Sequence, residues 1–151
     1  MSATTSATHA PVMVSENGQG RYQQTVRIGK HQLIADEPAS LGGDDRGPAP
    51  TDFLLAALGA CTSITLRMYA ELKQIPLSGV QVALTLDKVE SVERGKIDRI
   101  NRRITLAGEL SNEQRDSLLN IANKCPLHRL LLAGLQIDSE LVETGAAPLD
   151  V

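Results

Sequence analysis

The chain has 151 residues and a formal net charge of −3, with 42% of its residues hydrophobic and 22% charged. This composition is typical of a soluble globular protein, and the length suits one domain with a substantial core. An acidic balance with two tyrosines, one phenylalanine and no tryptophan argues against a nucleic-acid partner, because nucleic acid requires a basic surface and usually stacking rings.

The N-terminal stretch "MSATTSATHAP" has neither a basic start nor an apolar segment, so we expect no secretory signal. We expect residues 1–15 to form a disordered tail and residues 16–151 to form a single domain. No uncharged apolar segment reaches the roughly 18 residues of a membrane span, so no membrane partner is expected. We therefore expect the chain in the reducing cytoplasm, where a cysteine pair is more often catalytic or redox-active than a permanent disulfide.

The first elements in chain order are strands. "RYQQTVRIGKHQLIADEP" predicts two strands that meet at a tight turn on Gly29 and Lys30, and "ASLGGDDRGPAP" then predicts a loop. Thr51 and Asp52 are good N-cap residues for a helix that we expect to run from residue 52 to residue 73. The first half of this helix is apolar or small on every face, which predicts burial on all sides, with a second subunit completing the cover.

A hairpin is predicted next. "VQVALTLDKVE" alternates with period two as a half-buried strand does, and "RINRRITLAGEL" follows as its antiparallel partner after a turn around Gly95. The charged residues of this hairpin have both signs interleaved, so we expect them on a solvated face. They are Glu90, Glu93, Arg94, Lys96, Arg99, Arg102 and Arg103.

The last third of the chain predicts two helices and a strand. Ser111 and Gln114 match a capping box that opens a helix on "NEQRDSLLNIANKC". Pro126 is expected to end that helix at Cys125 and to begin a short one, "PLHRLLLAG". "LQIDSELV" is expected to form the last strand. Strands, helix, two strands, helix and strand in that order indicate an α+β fold.

The chain has two cysteines, Cys61 and Cys125, each on an apolar face of a different predicted helix. They fit two unrelated core residues, a redox pair, or a metal site that also uses His128. Zinc usually takes at least three protein ligands, so the metal reading is the weakest and we expect no metal. A reactive thiol needs a nearby cation, and Arg21 and Arg46 are the candidates, although both also suit a solvated surface.

Two separated motifs carry a resemblance to a known family. "GPAPTDFLLAALGACTSITLRMYA", followed later by "ANKCPLHRLL", resembles the OsmC/Ohr family of osmotically induced and organic-hydroperoxide-resistance proteins, nearest its less characterised OsmC-like branch. The similarity covers residues from about Arg21 to Val142. It implies an OsmC-like fold in which curved antiparallel sheets wrap two central helices in an intertwined homodimer, with both active sites at the subunit interface.

The resemblance also implies an activity, that of a cofactor-free cysteine peroxidase for organic hydroperoxides. Cys61 would attack the peroxide and become a sulfenic acid, Cys125 would resolve it as a disulfide, and an external dithiol reductant would restore both thiols. Arg21 matches the cation of the hydroperoxide-resistance branch, whereas Arg46 lies nearer the position used by the OsmC branch. His128 is a further candidate, because it follows Cys125 closely enough to tune its thiol.

One position departs from the family pattern. The family peroxidases have a glutamate where this chain has Thr51, and Asp52 follows one residue later. A one-residue offset turns a helical side chain by about 100°, so Asp52 is not an automatic substitute. The alternative function is therefore a binding or carrier module for a small ligand, with redox-sensitive cysteines and little peroxidase turnover.

Overall fold

The computed structural model describes residues 10–143 and 145. These residues divide into two compact units: one contains residues 10–52 and the described residues from Ile137 onward, and the other is Phe53–Gln136. Antiparallel sheets and α-helices together make the described part an α+β structure, as predicted.

The first unit is built on a three-stranded antiparallel sheet. Its strands are, in order, β1 (Val12–Glu16), β2 (Gln24–Ile28) and β3 (His31–Ala35). β1 pairs with β2 along its whole length. The expectation of a disordered tail is therefore wrong for residues 12–15, because their backbone groups complete a ladder with β2. Residues 1–9 of that predicted tail lie outside the described residues.

A two-residue turn joins β2 to β3, as the sequence predicts, and Gly29 in it has φ +56°, a region that glycine adopts readily. After β3 the chain enters a loop ordered around the buried carboxylate of Asp36. This carboxylate accepts the backbone N–H of Glu37 at 2.8 Å and that of Arg46 at 3.1 Å. Burial raises the pKa of Asp36, but these backbone hydrogen bonds and the charge of Arg46 bring it below the ordinary value.

Helix α1 (Pro50–Leu72) begins two residues before its predicted start and ends one residue before its predicted end. Its buried residues follow the helical repeat along one stripe: Leu58, Gly59, Thr62, Leu66 and Ala70. Another face is open, with Ile64 59% and Met68 65% exposed. In the single chain this face of α1 is therefore uncovered, and the expected cover by a second subunit stays a prediction. By length and composition α1 also meets the test for a membrane span, which the core helix of a soluble protein passes too.

The second unit contains the predicted hairpin, β4 (Gly79–Ser91) and β5 (Gly95–Ala107), paired from end to end. α1 approaches this hairpin closely because Gly59 has no side chain: a Cβ there would lie 2.8 Å from Cδ1 of Leu84. The buried core of the unit comes from α1, from the segment after it and from the next helix. Its members are Leu66, Ala70, Leu77, Leu118 and Ala122.

The segment "LQIDSELV" does not form the expected strand. Residues 135–143 have no regular secondary structure, and Leu135, Ile137 and Leu141 are 62%, 82% and 103% exposed. Alternating side chains favour an extended segment, but a strand also needs a neighbouring strand for its backbone groups. No strand of the described residues pairs with this segment.

Candidate functional site

Cys125 lies at a break between two helices. α2 (Asn112–Ala122) opens with the predicted capping box, in which the Gln114 N–H donates to Oγ of Ser111 at 3.1 Å and the Ser111 N–H donates to Oε1 of Gln114 at 2.9 Å. α3 (Pro126–Ala133) follows, with Cys125 as its N-cap residue and Pro126 in its first turn. The Cys125 side chain is completely buried. The predicted helix break at the proline is confirmed.

The two cysteines meet between α1 and this break. Both are free thiols, Cys61 half-buried and Cys125 buried. Oγ1 of Thr62, the residue after Cys61, lies 3.8 Å from Sγ of Cys125 and donates to the Leu58 carbonyl at 2.7 Å. The Cys61 side chain also interacts with the Cys125 thiol and favours its deprotonation. Two residues far apart in the sequence thus share one site.

Arg102 of β5 brings a positive charge to this site. Its Nη1 donates to Oγ1 of Thr62 at 2.9 Å and lies 4.0 Å from Sγ of Cys125. Its Nη2 donates to Oδ1 of Asn123 at 2.9 Å and to Nδ1 of His128 at 3.3 Å. Because Nδ1 of His128 accepts this bond, the neutral ring carries its proton on Nε2. Arg102 therefore ties β5 to all three helical segments around the thiols.

The sequence prediction for Arg102 was wrong, because it placed this residue on a solvated face. Mixed charges are typical of a solvated hairpin face, but they do not show to which side of the strand a single side chain points. Ile100, Ile104 and Leu106 are half-buried, and period two places Arg102 in line with them. The register supports this, because Arg102 is paired with the half-buried Leu84 of β4. Strand alternation is the signal from which an inward guanidinium could have been predicted.

The surroundings of Cys125 favour its thiolate. Burial raises the pKa of the Cys125 thiol, but the backbone N–H of His128, the side chains of Thr62 and Cys61 and the charge of Arg102 together bring it below the ordinary value. For His128, burial and then the charge of Arg102 lower the pKa. The imidazole is therefore neutral near pH 7, and the guanidinium supplies the positive charge beside the sulfur.

An apolar cavity of about 760 Å³ adjoins this cluster, a size typical of small-molecule sites. Its apolar lining consists of Leu54, Leu58, Leu86, Ile100, Leu131 and Leu132. Its polar lining consists of Asp98, Arg99, Arg102, Asn123 and His128. Arg102, Asn123 and His128 belong to both the cavity wall and the thiol cluster, so a ligand in the cavity would lie beside groups that contact Cys125.

The other predicted site residues belong to the first compact unit. The Arg21 guanidinium lies 5.0 Å from the centre of the Tyr22 ring. Arg46 lines a polar pocket of the same unit. Thr51 is exposed in the first turn of α1, and Asp52 accepts the backbone N–H of Ala49 at 3.0 Å, which gives its carboxylate a capping function. The functions predicted for these residues at the thiol pair stay predictions.

Within residues 10–143 and 145, no group of three or more histidine, cysteine, aspartate or glutamate side chains is placed to hold a metal ion. Cys125 and His128 share the site with a guanidinium, whose positive charge opposes cation binding.

Known structures share this fold. An osmotic stress induced and detoxification response protein from Psychrobacter arcticus 273-4 has a TM-score of 0.68 at 18% identity, with 84% of this chain and 90% of that chain covered. An OsmC like protein from Mycoplasma pneumoniae has a TM-score of 0.66 at 20% identity, with 83% and 87% covered. An organic hydroperoxide resistance protein OsmC from Legionella pneumophila has a TM-score of 0.60 at 20% identity, with 82% and 90% covered. Identities this low show the fold alone.

Sequence comparison assigns the family. No curated protein matches the chain. The family whose members are described as OsmC-like protein matches residues 42–140, which include both cysteines, Arg102 and His128. Since this match covers well over half of the chain, the protein belongs to the OsmC-like family.

Proposed function

We propose that this protein is a thiol peroxidase that reduces organic hydroperoxides to alcohols with Cys61 and Cys125. The observation that carries the proposal is the meeting of two free thiols beside a guanidinium that itself lines an apolar cavity. The similar Legionella pneumophila structure is named an organic hydroperoxide resistance protein, which supports this substrate class.

The proposed reaction needs no cofactor. A cysteine thiolate attacks the terminal oxygen of ROOH, the O–O bond breaks, and the departing alkoxide takes a proton to give ROH and a sulfenic acid. The second thiol then displaces water from the sulfenic acid to form a disulfide. An external dithiol reduces this disulfide by exchange and becomes a disulfide itself. The family resemblance assigns the first step to Cys61 and the second to Cys125, with Arg21 beside the first thiolate.

The cavity lining supports organic rather than hydrogen peroxide as substrate. Six leucine and isoleucine side chains give an alkyl or aryl group apolar surface to bury, at roughly 25 cal/mol per Å². Hydrogen peroxide has no such group and gains nothing from this lining. Selectivity for bulky hydroperoxides is expected to follow.

We also propose that the protein acts as a homodimer in the cytoplasm. The open face of α1, with Ile64 and Met68 exposed, is apolar surface that a second copy would cover. A dithiol-driven cycle suits a reducing compartment, in which disulfides do not persist.

Stopped-flow consumption of cumene hydroperoxide with a dithiol tests this proposal. We expect the wild type to consume the peroxide far faster than a Cys61→Ser, Cys125→Ser double variant, and each single variant to fail to turn over. A wild type no faster than the double variant would show that the protein is not a peroxidase.

The second candidate is a binding or carrier module, and the observation in its favour is the cavity itself. A preformed apolar site of about 760 Å³ would hold a small apolar ligand whether or not the thiols react. An apolar fluorophore that binds equally to the wild type and to the double cysteine variant, together with no peroxide turnover, would favour this function.

A further inference from the structure

The second thiol of the pair, Cys125, is enclosed by this chain alone. Its side chain has no exposed surface, so its contacts are complete without a second subunit. It is also absent from the wall of the apolar cavity, so a ligand there does not meet its sulfur directly. The Cys61 side chain is hydrogen-bonded to the Cys125 thiol. The chemistry open to the Cys125 sulfur is therefore reaction with the neighbouring sulfur of Cys61.

Arg102 is the cation beside this buried sulfur, with Nη1 4.0 Å from Sγ of Cys125. Within the part of the chain that the structure describes, its guanidinium has no carboxylate partner. Its hydrogen-bond partners are uncharged side chains, those of Thr62, Asn123 and His128. A half-buried cation that is always protonated favours an anion close to it. The Cys125 sulfur is the group within reach that can become this anion.

Three elements bring titratable or charged groups to the Cys125 sulfur. They are β5 with Arg102, α3 with His128 and α1 with Cys61. Of these groups only the guanidinium is a cation near pH 7, because burial and the charge of Arg102 lower the pKa of His128. The backbone N–H of His128, at the start of α3, is hydrogen-bonded to the same sulfur and also favours its charged form.

Arg102 also fixes the position of the helix break that carries Cys125. Its Nη2 donates to Oδ1 of Asn123, before this cysteine, at 2.9 Å and to Nδ1 of His128, after it, at 3.3 Å. Its Nη1 donates to Oγ1 of Thr62 in α1 at 2.9 Å. One guanidinium thus holds both of the chain segments that carry the two thiols.

We propose that Arg102 serves the second step of the cycle, in which it positions Cys125 as a thiolate to attack the oxidised sulfur of Cys61. The oxidation of Cys61 rests on the proposed function, whereas the part given to Arg102 rests on contacts within this chain. Arg102 is a positioning residue in this scheme, because it acts through Cys125. The order of the two cysteines stays the one that the family resemblance implies.

The second step balances as a substitution at sulfur. It begins when Cys61 has taken the terminal oxygen of ROOH and become a sulfenic acid. The Cys125 sulfur, whose proton has already passed to solvent, bonds to the Cys61 sulfur; the S–O bond breaks, and the leaving hydroxide takes a proton from solvent as water. The external dithiol of the proposed function later reduces the disulfide. A fast second step also leaves less time for a second hydroperoxide to convert the sulfenic acid to a sulfinic acid.

Single-turnover kinetics of the wild type test the proposal with Arg102 intact. Protein mixed with stoichiometric cumene hydroperoxide is quenched with acid at timed intervals, and its intact mass reports the sulfenic acid by the added oxygen and the disulfide by the lost hydrogens. We expect the conversion of sulfenic acid to disulfide to slow less than about fivefold from pH 8.5 to pH 7, because Arg102 keeps much of Cys125 ionised. A larger fall, toward the roughly 16-fold of a thiol with the ordinary pKa of about 8.5, would overturn the proposal.

Variants of the arginine then test its part. In Arg102→Gln we expect this conversion to slow about tenfold at pH 7, the low end for loss of an opposite charge this close. The deficit should nearly disappear at pH 10, where Cys125 is ionised with or without the guanidinium, whereas a misplaced thiol would react slowly at both pH values. Arg102→Lys should restore part of the rate at pH 7. Arg103→Gln, on the exposed face of the same strand, is the matched control and should change nothing.

The outcomes separate this inference from the proposed function. An unchanged rate in Arg102→Gln at pH 7, a rate lowered equally at both pH values, or an equal change in Arg103→Gln would refute the function given to Arg102. A wild type that forms no sulfenic acid and consumes no hydroperoxide would end the peroxidase proposal and the second step with it. Ultraviolet thiolate absorbance in the Cys61→Ser background, with the double cysteine variant subtracted, would then still test the thiolate: Cys125 should ionise at a higher pH in Arg102→Gln, and equal titrations would overturn this assignment.

Discussion

Replacement of Thr62 by valine removes one hydroxyl from the centre of the site and leaves its shape almost unchanged. That hydroxyl accepts a hydrogen bond from Arg102 at 2.9 Å and lies 3.8 Å from the Cys125 sulfur, in a side chain that is completely buried. Hydrogen bonds to charged groups contribute about 1.5–3 kcal/mol to stability. Since Arg102 is only half-buried and water can replace part of the bond, we expect Thr62→Val to lower the free energy of unfolding by about 1.5 kcal/mol.

The same substitution acts on the thiol. The Thr62 hydroxyl has one proton, which can be donated to the Leu58 carbonyl or turned to the Cys125 sulfur. Turned to the sulfur it lowers the pKa of Cys125, so Thr62→Val, which removes this donor, should raise that pKa and slow alkylation of Cys125 near neutral pH. Thr62→Ser is the matched control: it loses a buried methyl, at roughly 1 kcal/mol, but keeps the hydroxyl. Both variants should therefore be less stable, and only Thr62→Val should alter the pH profile of alkylation.

Two measurements decide this prediction. Urea unfolding is followed at one fixed protein concentration, because association would make the apparent stability depend on concentration. Iodoacetamide alkylation of Cys125 is followed against pH in the Cys61→Ser background. If Thr62→Val keeps both the wild-type stability and the wild-type alkylation profile, the hydroxyl contributes nothing and the hydrogen-bonded cluster is wrongly interpreted.

Three further predictions concern the fold. Leu118→Ala, at a completely buried core position, should lower the free energy of unfolding by about 2.7–5 kcal/mol, whereas Leu119→Ala, at a side chain 54% exposed, should change it little; equal losses in urea unfolding would contradict this. Asp36 has its pKa lowered from 3.8, so its stabilising effect is present above that pH and is lost as the pH falls through the folded-state value; Asp36→Asn should therefore show a shallower acid loss of stability than the wild type, and parallel curves would contradict it. Solution scattering should give the wild type the mass of two chains and Met68→Glu, on the open face of α1, the mass of one; a monomeric wild type would end the dimer proposal.

The confirmed local predictions are those that depend on only a few consecutive residues. The turn at Gly29, the capping box at Ser111 and the helix break at Pro126 each depend on a few neighbouring residues, and each is present. The segment after residue 134 was predicted as a strand from the same kind of alternation, but a strand also depends on a distant partner. Sequence patterning reports which residues share a face and cannot report whether another strand lies beside them.

The site shows the same limit. The two helices could be predicted to present Cys61 and Cys125 on apolar faces, and the structure brings these thiols together. The sequence predicts Arg21 or Arg46 as the cation, because a strand arginine among mixed charges is usually solvated. Arg102 reaches the thiols only because the hairpin packs on α1, a tertiary relation that no single stretch of sequence contains.

The uncharged partners of Arg102 have a consequence for the redox equilibrium of the cysteine pair. A guanidinium without a carboxylate favours the form of the pair that bears negative charge, and only the reduced form does so. Formation of the disulfide removes that charge, so the oxidised pair is the less favoured state, and each tenfold preference for the reduced form raises the reduction potential by about 30 mV. In the proposed peroxidase cycle this disulfide is therefore expected to be a strong oxidant of external dithiols, so that the equilibrium favours its reduction.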